Sequence, residues 1–167
     1  FPGKAHLCGN IGIPLCETVL ENGLMEEGGH YIALEISNFQ LVNIDRFRPE
    51  AAVILNLTPD HVDFMGSLDD YHKSKTEVYR NMSGSDLFLL NADDPVLAEY
   101  TVKYPVNCTV RTFSTDRSDT DSCVSGGYVC VNGEKVLPLD LIKIIGKHNL
   151  QNIIVAVSIA KAFGVTN

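Results

Sequence analysis

Two nearly unbroken apolar runs, at positions 31–36 and 51–57, constrain this chain more than any other feature of it. A strand with one wet face alternates apolar and polar residues, whereas a strand covered on both faces has no reason to alternate. The runs therefore predict strands of a parallel sheet lying between helices. Shorter strand candidates occur at 4–8, 86–90 and 108–113, and helical patterns separate them. Pro14 suits the first turn of a helix over 14–22, and Asn91-Ala92-Asp93-Asp94-Pro95 reads as a turn opening a helix over 95–100. After Phe113 the pattern changes. Positions 115–125 are polar and turn-rich, while 128–131, 135–137 and 141–145 predict an antiparallel group, with Asn132-Gly133 as a hairpin turn. A last helix is expected over 149–163, with Gly164 as its C-terminal cap. The expected fold class is α/β: one domain over 1–167, a doubly wound, mostly parallel sheet with helices on both faces and a small antiparallel sheet.

Composition narrows the function classes. A net charge of −8 argues against nucleic-acid or anionic-membrane partners, which call for basic patches. No run approaches the roughly 20 apolar residues of a membrane helix, so no membrane insertion is expected. Five cysteines, one necessarily unmatched and none in a CxxC pair, suggest reduced thiols and a cytoplasmic setting.

Ser67-Leu68-Asp69-Asp70 has the form of a capping box, so a helix is expected from Leu68. At about 100° per residue, Leu68, Tyr71, Lys75, Val78, Tyr79 and Met82 share one stripe, with Lys75 near its centre. An amine held against apolar surface loses its charge easily, because desolvation disfavours the ammonium form. Snorkelling to water is the ordinary alternative.

Ligands of doubly wound sheets bind beyond the carboxyl ends of the strands. There Asn10 follows the first strand candidate; Glu35, Ser37 and Gln40 close the second; Asn56, Thr58, Asp60, His61 and Asp63 follow the third. A carboxylate ending an apolar strand suits magnesium held by few protein ligands and by substrate phosphates. His61 lies among carboxylates and can ligate a divalent metal or donate to an oxyanion. At the last helix, His148 and Asn152 are four apart and share a face near Asn149. These groups could read a purine edge or accept a phosphate, although Asn149 could equally cap the helix.

Six blocks occur in a telling order: Gly9-Asn10-Ile11-Gly12-Ile13-Pro14, Leu34-Glu35-Ile36-Ser37-Asn38-Phe39-Gln40-Leu41, Leu55-Asn56-Leu57-Thr58-Pro59-Asp60-His61-Val62-Asp63, Tyr71-His72-Lys73-Ser74-Lys75, Asn91-Ala92-Asp93-Asp94 and Gly146-Lys147-His148-Asn149-Leu150-Gln151-Asn152. With them the chain resembles the central, ATP-binding domain of the Mur ligases, a P-loop NTPase-like fold. The first two blocks point to the members that add D-glutamate to UDP-N-acetylmuramoyl-L-alanine in peptidoglycan precursor synthesis. The resemblance implies an amide ligase that uses ATP to make an acyl phosphate, which the amine of D-glutamate attacks. It places two magnesium ions near the phosphates, with Glu35 at one, His61 helping to hold the other, and Lys75 carbamylated as an anionic oxygen ligand. It puts Asn10, Ser37 and Gln40 on the muramoyl side, and Asn149 and Asn152, with His148 nearby, around the adenine.

One departure is large. The family's Gly-x-x-Gly-Lys-Thr/Ser phosphate loop is missing from this sequence, as are the uridine-binding and D-glutamate-binding domains. The 167-residue chain is thus expected to be a truncated central domain lacking the first strand, inactive by itself, with an unpaired gap or edge in its sheet through which it could self-associate. Another ligase of the superfamily, such as a folylpolyglutamate synthase, and a non-enzymatic binding module are the competing readings.

Overall fold

The structure, a computed structural model, describes residues 4–59 and 65–166. It has two compact units, Phe1–Ile44 and Asp45–Asn167.

In the first unit, β1 (Ala5–Gly9) and β2 (Tyr31–Glu35) pair in parallel, from Ala5 opposite Tyr31 to Gly9 opposite Glu35. Parallel neighbours need a crossover, and α1 (Leu15–Glu21) provides it. Pro14 sits at its N-cap, where its fixed φ suits the entry to the helix. A single turn, α2 (Asn38–Leu41), follows β2.

The second unit holds a six-stranded sheet in the order β3-β4-β5-β6-β7-β8. β3 (Ala51–Ile54), β4 (Gly84–Asn91), β5 (Cys108–Phe113) and β6 (Ser122–Ser125) are parallel, and β7 (Tyr128–Val131) and β8 (Glu134–Pro138) continue antiparallel. The helices described in full are α3 (Leu68–Thr76), which passes into a 3₁₀ turn at Glu77–Tyr79, then α4 (Pro95–Lys103) and α5 (Lys147–Ala162). β4 shows why its sequence does not alternate. Leu87 and Leu89 pack with Phe113, Val129, Ile154 and Val155 on the α5 side. Phe88, one residue out of phase, meets Tyr79 edge-on on the other side, with ring centroids 4.9 Å apart. Helices on both faces of a mostly parallel sheet are the expected architecture.

The strands belong to two separately bonded sheets, β1-β2 and β3 to β8. β3 stops at Ile54, three residues short of the expected end. The hairpin turn at Asn132-Gly133 forms with positive φ at both residues, 51° and 79°.

The strand expected at 141–145 does not form. A 3₁₀ turn at Leu139–Leu141 follows Pro138, and Ile144 and Ile145 are exposed. Its place in the annex is taken by β6, within the polar stretch expected to be turns. Ser122 can be buried there because its hydroxyl is hydrogen-bonded to that of Ser158 on α5 (2.7 Å).

The stripe on α3 also differs. The buried residues are Tyr71, His72, Ser74 and Thr76, followed by Val78, Tyr79 and Met82, whereas Leu68 is exposed and Lys75 half-buried at the border. Ser74 and Thr76 tolerate burial because their hydroxyls donate to the Tyr71 and Lys73 carbonyls (2.6 and 2.7 Å). Through the 3₁₀ turn the expected residues Val78, Tyr79 and Met82 remain buried.

Candidate active site

The first unit brings Asn10 and Glu35 together at the carboxyl ends of its strands. Gly9 has φ 136°, and a Cβ there would lie 2.0 Å from the Glu35 carbonyl oxygen. That close approach lets the Asn10 backbone N–H donate to the Glu35 carbonyl (2.8 Å). The Asn10 side-chain amide also donates to the Glu35 carboxylate (3.4 Å). Glu35 itself is exposed. Ser37 and Gln40 form the capping box of α2: the Gln40 side-chain oxygen accepts from the Ser37 N–H (2.9 Å), and the Gln40 N–H donates to the Ser37 hydroxyl (3.4 Å). The two expected substrate contacts thus occupy each other. Between them, the buried Asn38 amide nitrogen lacks a hydrogen-bond partner among the described residues.

In the second unit Ser67 caps α3 as expected, accepting from the Asp70 N–H (3.1 Å). Lys75 extends its ammonium over the Tyr71 ring, 4.8 Å from the centroid. One turn earlier, His72 is buried, packs edge-on against Tyr100 at 5.1 Å, and its Nε2 has no partner among the described residues. Desolvation, with the Lys75 charge behind it, pushes the His72 imidazole below its ordinary value of 6.5. The unfolded chain then takes up this proton at a higher pH than the folded one. Stability is expected to fall as pH drops from 6.5 toward the folded value, with a slope of up to about 1.4 kcal/mol per pH unit for one group. Urea denaturation at pH 7 and pH 5.5 checks this, and His72→Phe should flatten the difference.

His61 lies outside the described residues. The segment leading toward it is held by the 91–94 turn. Asn91 donates to the Leu55 carbonyl (2.8 Å), and Asp94 accepts from the Leu57 N–H (2.7 Å) while capping α4 through the Leu97 N–H (3.0 Å). Asp93 reaches the other way. Its carboxylate accepts from the Ser114 hydroxyl, the Thr115 N–H (2.8 Å) and the Thr115 hydroxyl (2.9 Å). Burial pushes this carboxyl up, but the hydrogen bonds and the Lys147 charge together outweigh it and hold the group below the usual carboxylate range. Asp93 was legible only as part of a turn, since its partners lie 21 and 22 residues away.

α5 starts earlier than expected, at Lys147, with Gly146 as N-cap at φ 110° and no side-chain cap. Asn149 does not cap it; its side chain bonds back to the Ile145 carbonyl (2.8 Å). His148 and Asn152 are exposed on the first turns. Among the described residues, no three His, Cys, Asp or Glu side chains gather to hold a metal ion. None of the helices described is long and apolar enough to cross a membrane.

In mostly parallel α/β sheets ligands bind beyond the carboxyl ends of the strands, where Asn10 and Glu35 stand in the first unit. The chain belongs to the Mur ligase family: the model of the Mur ligase middle domain matches residues 12–160. Among curated relatives, the UDP-N-acetylmuramoylalanine–D-glutamate ligase of Ligilactobacillus salivarius is 32% identical over 99% of this chain and 35% of its own length. That of Thermoanaerobacter pseudethanolicus is 35% identical over 98% of this chain and 36% of its own. The chain thus spans about a third of the relatives it matches. Among solved structures, MurF from Acinetobacter baumannii superposes with a TM-score of 0.66 at 18% identity, over 97% of this chain and 42% of that one. A UDP-N-acetylmuramoyl-L-alanyl-D-glutamate–2,6-diaminopimelate ligase does so at 0.65 and 15%, over 97% and 43%. At such identities the structures speak for the fold.

Proposed function

We propose that this chain is the central domain of an ATP-dependent, cytoplasmic ligase that joins D-glutamate to UDP-N-acetylmuramoyl-L-alanine. The observation that carries this reading is the similarity to curated D-glutamate ligases along nearly the whole chain, at 32% and 35% identity. In this reading ATP converts the muramoyl substrate's carboxylate into an acyl phosphate; the amine of D-glutamate attacks the carbonyl, and phosphate leaves.

Glu35 would hold one magnesium ion, His61 would help to hold a second, and Lys75 as its carbamate would supply an anionic oxygen ligand. Glu35 fits that role as an exposed carboxylate at a strand's carboxyl end, oriented by Asn10. Magnesium is usually held by one or two carboxylates together with substrate phosphates. When bound, the ions neutralise charge on the phosphate oxygens. For carbamylation the Lys75 amine must leave the Tyr71 ring and lose its proton before its nitrogen can bond to carbon dioxide. Asn10 would contact the muramoyl substrate, while Ser37 and Gln40 contribute the shape of the turn they lock. The exposed His148 and Asn152, with Asn149, would face the adenine.

The test is an ATP-dependent phosphate-release assay on the full-length protein that carries this chain, run with a panel of acceptors and amino acids. Turnover is expected with UDP-N-acetylmuramoyl-L-alanine plus D-glutamate. Turnover with a folate plus L-glutamate instead would overturn the reading in favour of a folylpolyglutamate synthase.

A further inference from the structure

We propose that Asp93 is a positioning residue for the nucleotide: through the 114–117 turn and Lys147 it sets the start of α5, and so the placement of His148, Asn149 and Asn152. The inference rests on the adenine-side reading of those residues. Both of its carboxylate oxygens accept hydrogen bonds, from Ser114 and Thr115, which ties Asp93 to the 114–117 turn. Its own N–H is tied to the Asn91 side chain (3.0 Å), so the carboxylate is held from both ends.

The consequences pass along a continuous set of hydrogen bonds. Ser114 is fully buried, and its hydroxyl oxygen accepts from the Asp116 and Arg117 N–H groups (3.0 and 2.8 Å), which folds the chain into a tight turn. The turn presents the Asp116 carboxylate to the Lys147 ammonium at 2.5 Å. Lys147 is the first residue of α5. A cation there is opposed by the helix dipole, and no side chain caps the N-terminus. Asp116 and, at longer range, Asp93 supply the negative charge that makes the position tolerable. A sequence that breaks a local rule and compensates for it from two other segments marks a site that something besides stability has shaped.

The experiment uses the full-length protein and two readouts. One is steady-state kinetics with separate KM values for ATP and for the muramoyl substrate. The other is calorimetric titration with magnesium and adenosine 5′-diphosphate, without turnover. Asp93→Asn keeps the volume but cannot accept all three hydrogen bonds. It is expected to raise the KM for ATP and the Kd for the diphosphate about 10-fold, leaving the muramoyl KM within about 2-fold. Asp116→Asn, at the exposed end of the network and harmless to folding, should act in the same direction with a smaller effect. Asn149→Ala serves as the control. If it weakens the diphosphate while neither aspartate variant does, the positioning role is overturned and the adenine-side reading stands. Equal changes in every KM, together with a lower Tm, would reduce Asp93 to a structural residue. If Asn149→Ala itself leaves diphosphate binding unchanged, the adenine-side reading fails and the inference with it.

Discussion

Gly9→Ala is expected to destabilise the first unit by roughly 3–5 kcal/mol, the largest single-residue loss foreseen for this chain. Two penalties add. At φ 136° an L side chain is strained, and its Cβ would stand 2.0 Å from the Glu35 carbonyl oxygen and 2.8 Å from its nitrogen. Those are backbone atoms of the paired strand, so β1 and β2 must separate to admit a methyl group. The Asn10 to Glu35 backbone hydrogen bond breaks first, and the Asn10 amide leaves the Glu35 carboxylate with it. Gly12→Ala separates the two penalties: Gly12 also has positive φ, at 80°, but nothing lies within 4 Å of its Cβ position. Only the backbone term remains there, about 1 kcal/mol. Denaturant unfolding followed by circular dichroism, with hydrogen exchange at the Asn10 amide, compares the two variants. Equal losses would show that close approach of the strands is not what Gly9 serves.

The second large effect concerns turnover. In the full-length protein, Lys75→Ala is expected to lower kcat by about 100-fold or more, the scale on which a positioned charge at a reacting phosphate acts. Lys75→Arg should do nearly as much. Arginine keeps the positive charge and could still lie over Tyr71, but it does not lose its proton and so forms no carbamate. The pair of variants therefore separates carbamate chemistry from a snorkelling cation. Wild-type activity should also fall in bicarbonate-free buffer and return when bicarbonate is added, a response both variants lack. A Lys75→Arg enzyme that retains most of its activity would remove the carbamate from the mechanism.

Several elements were legible because their signals are local. The strands β2, β3 and β4, the Ser67 cap and the Asn132-Gly133 turn each depend on a few adjacent residues, although β2, expected to be covered on both faces, has no buried residue. Glu35 and Asn10 could be named for the same reason, since the carboxyl end of a strand is a position within a pattern. β6 was not legible, because Ser122 belongs in a core only once Ser158 on α5 is there to bond it. Nor was the exclusion of Lys75 from the centre of the buried face. It follows from hydroxyls that hide against their own helix, so that Ser74 and Thr76 on either side of Lys75 are buried.

By itself, then, the amino-acid sequence determined the alternation of strands and helices, the family and the residue types at the strand ends. Hydrophobic periodicity, caps and ordered motifs are all written within short windows. Tertiary structure alone decided which of those polar groups are free to act. Asp93 is tied to Ser114 and Thr115, 21 and 22 residues away, while Glu35 keeps an exposed carboxylate. The physical reason is that a buried donor or acceptor must find its partner wherever the fold brings one, and such pairings are set by contacts between distant segments.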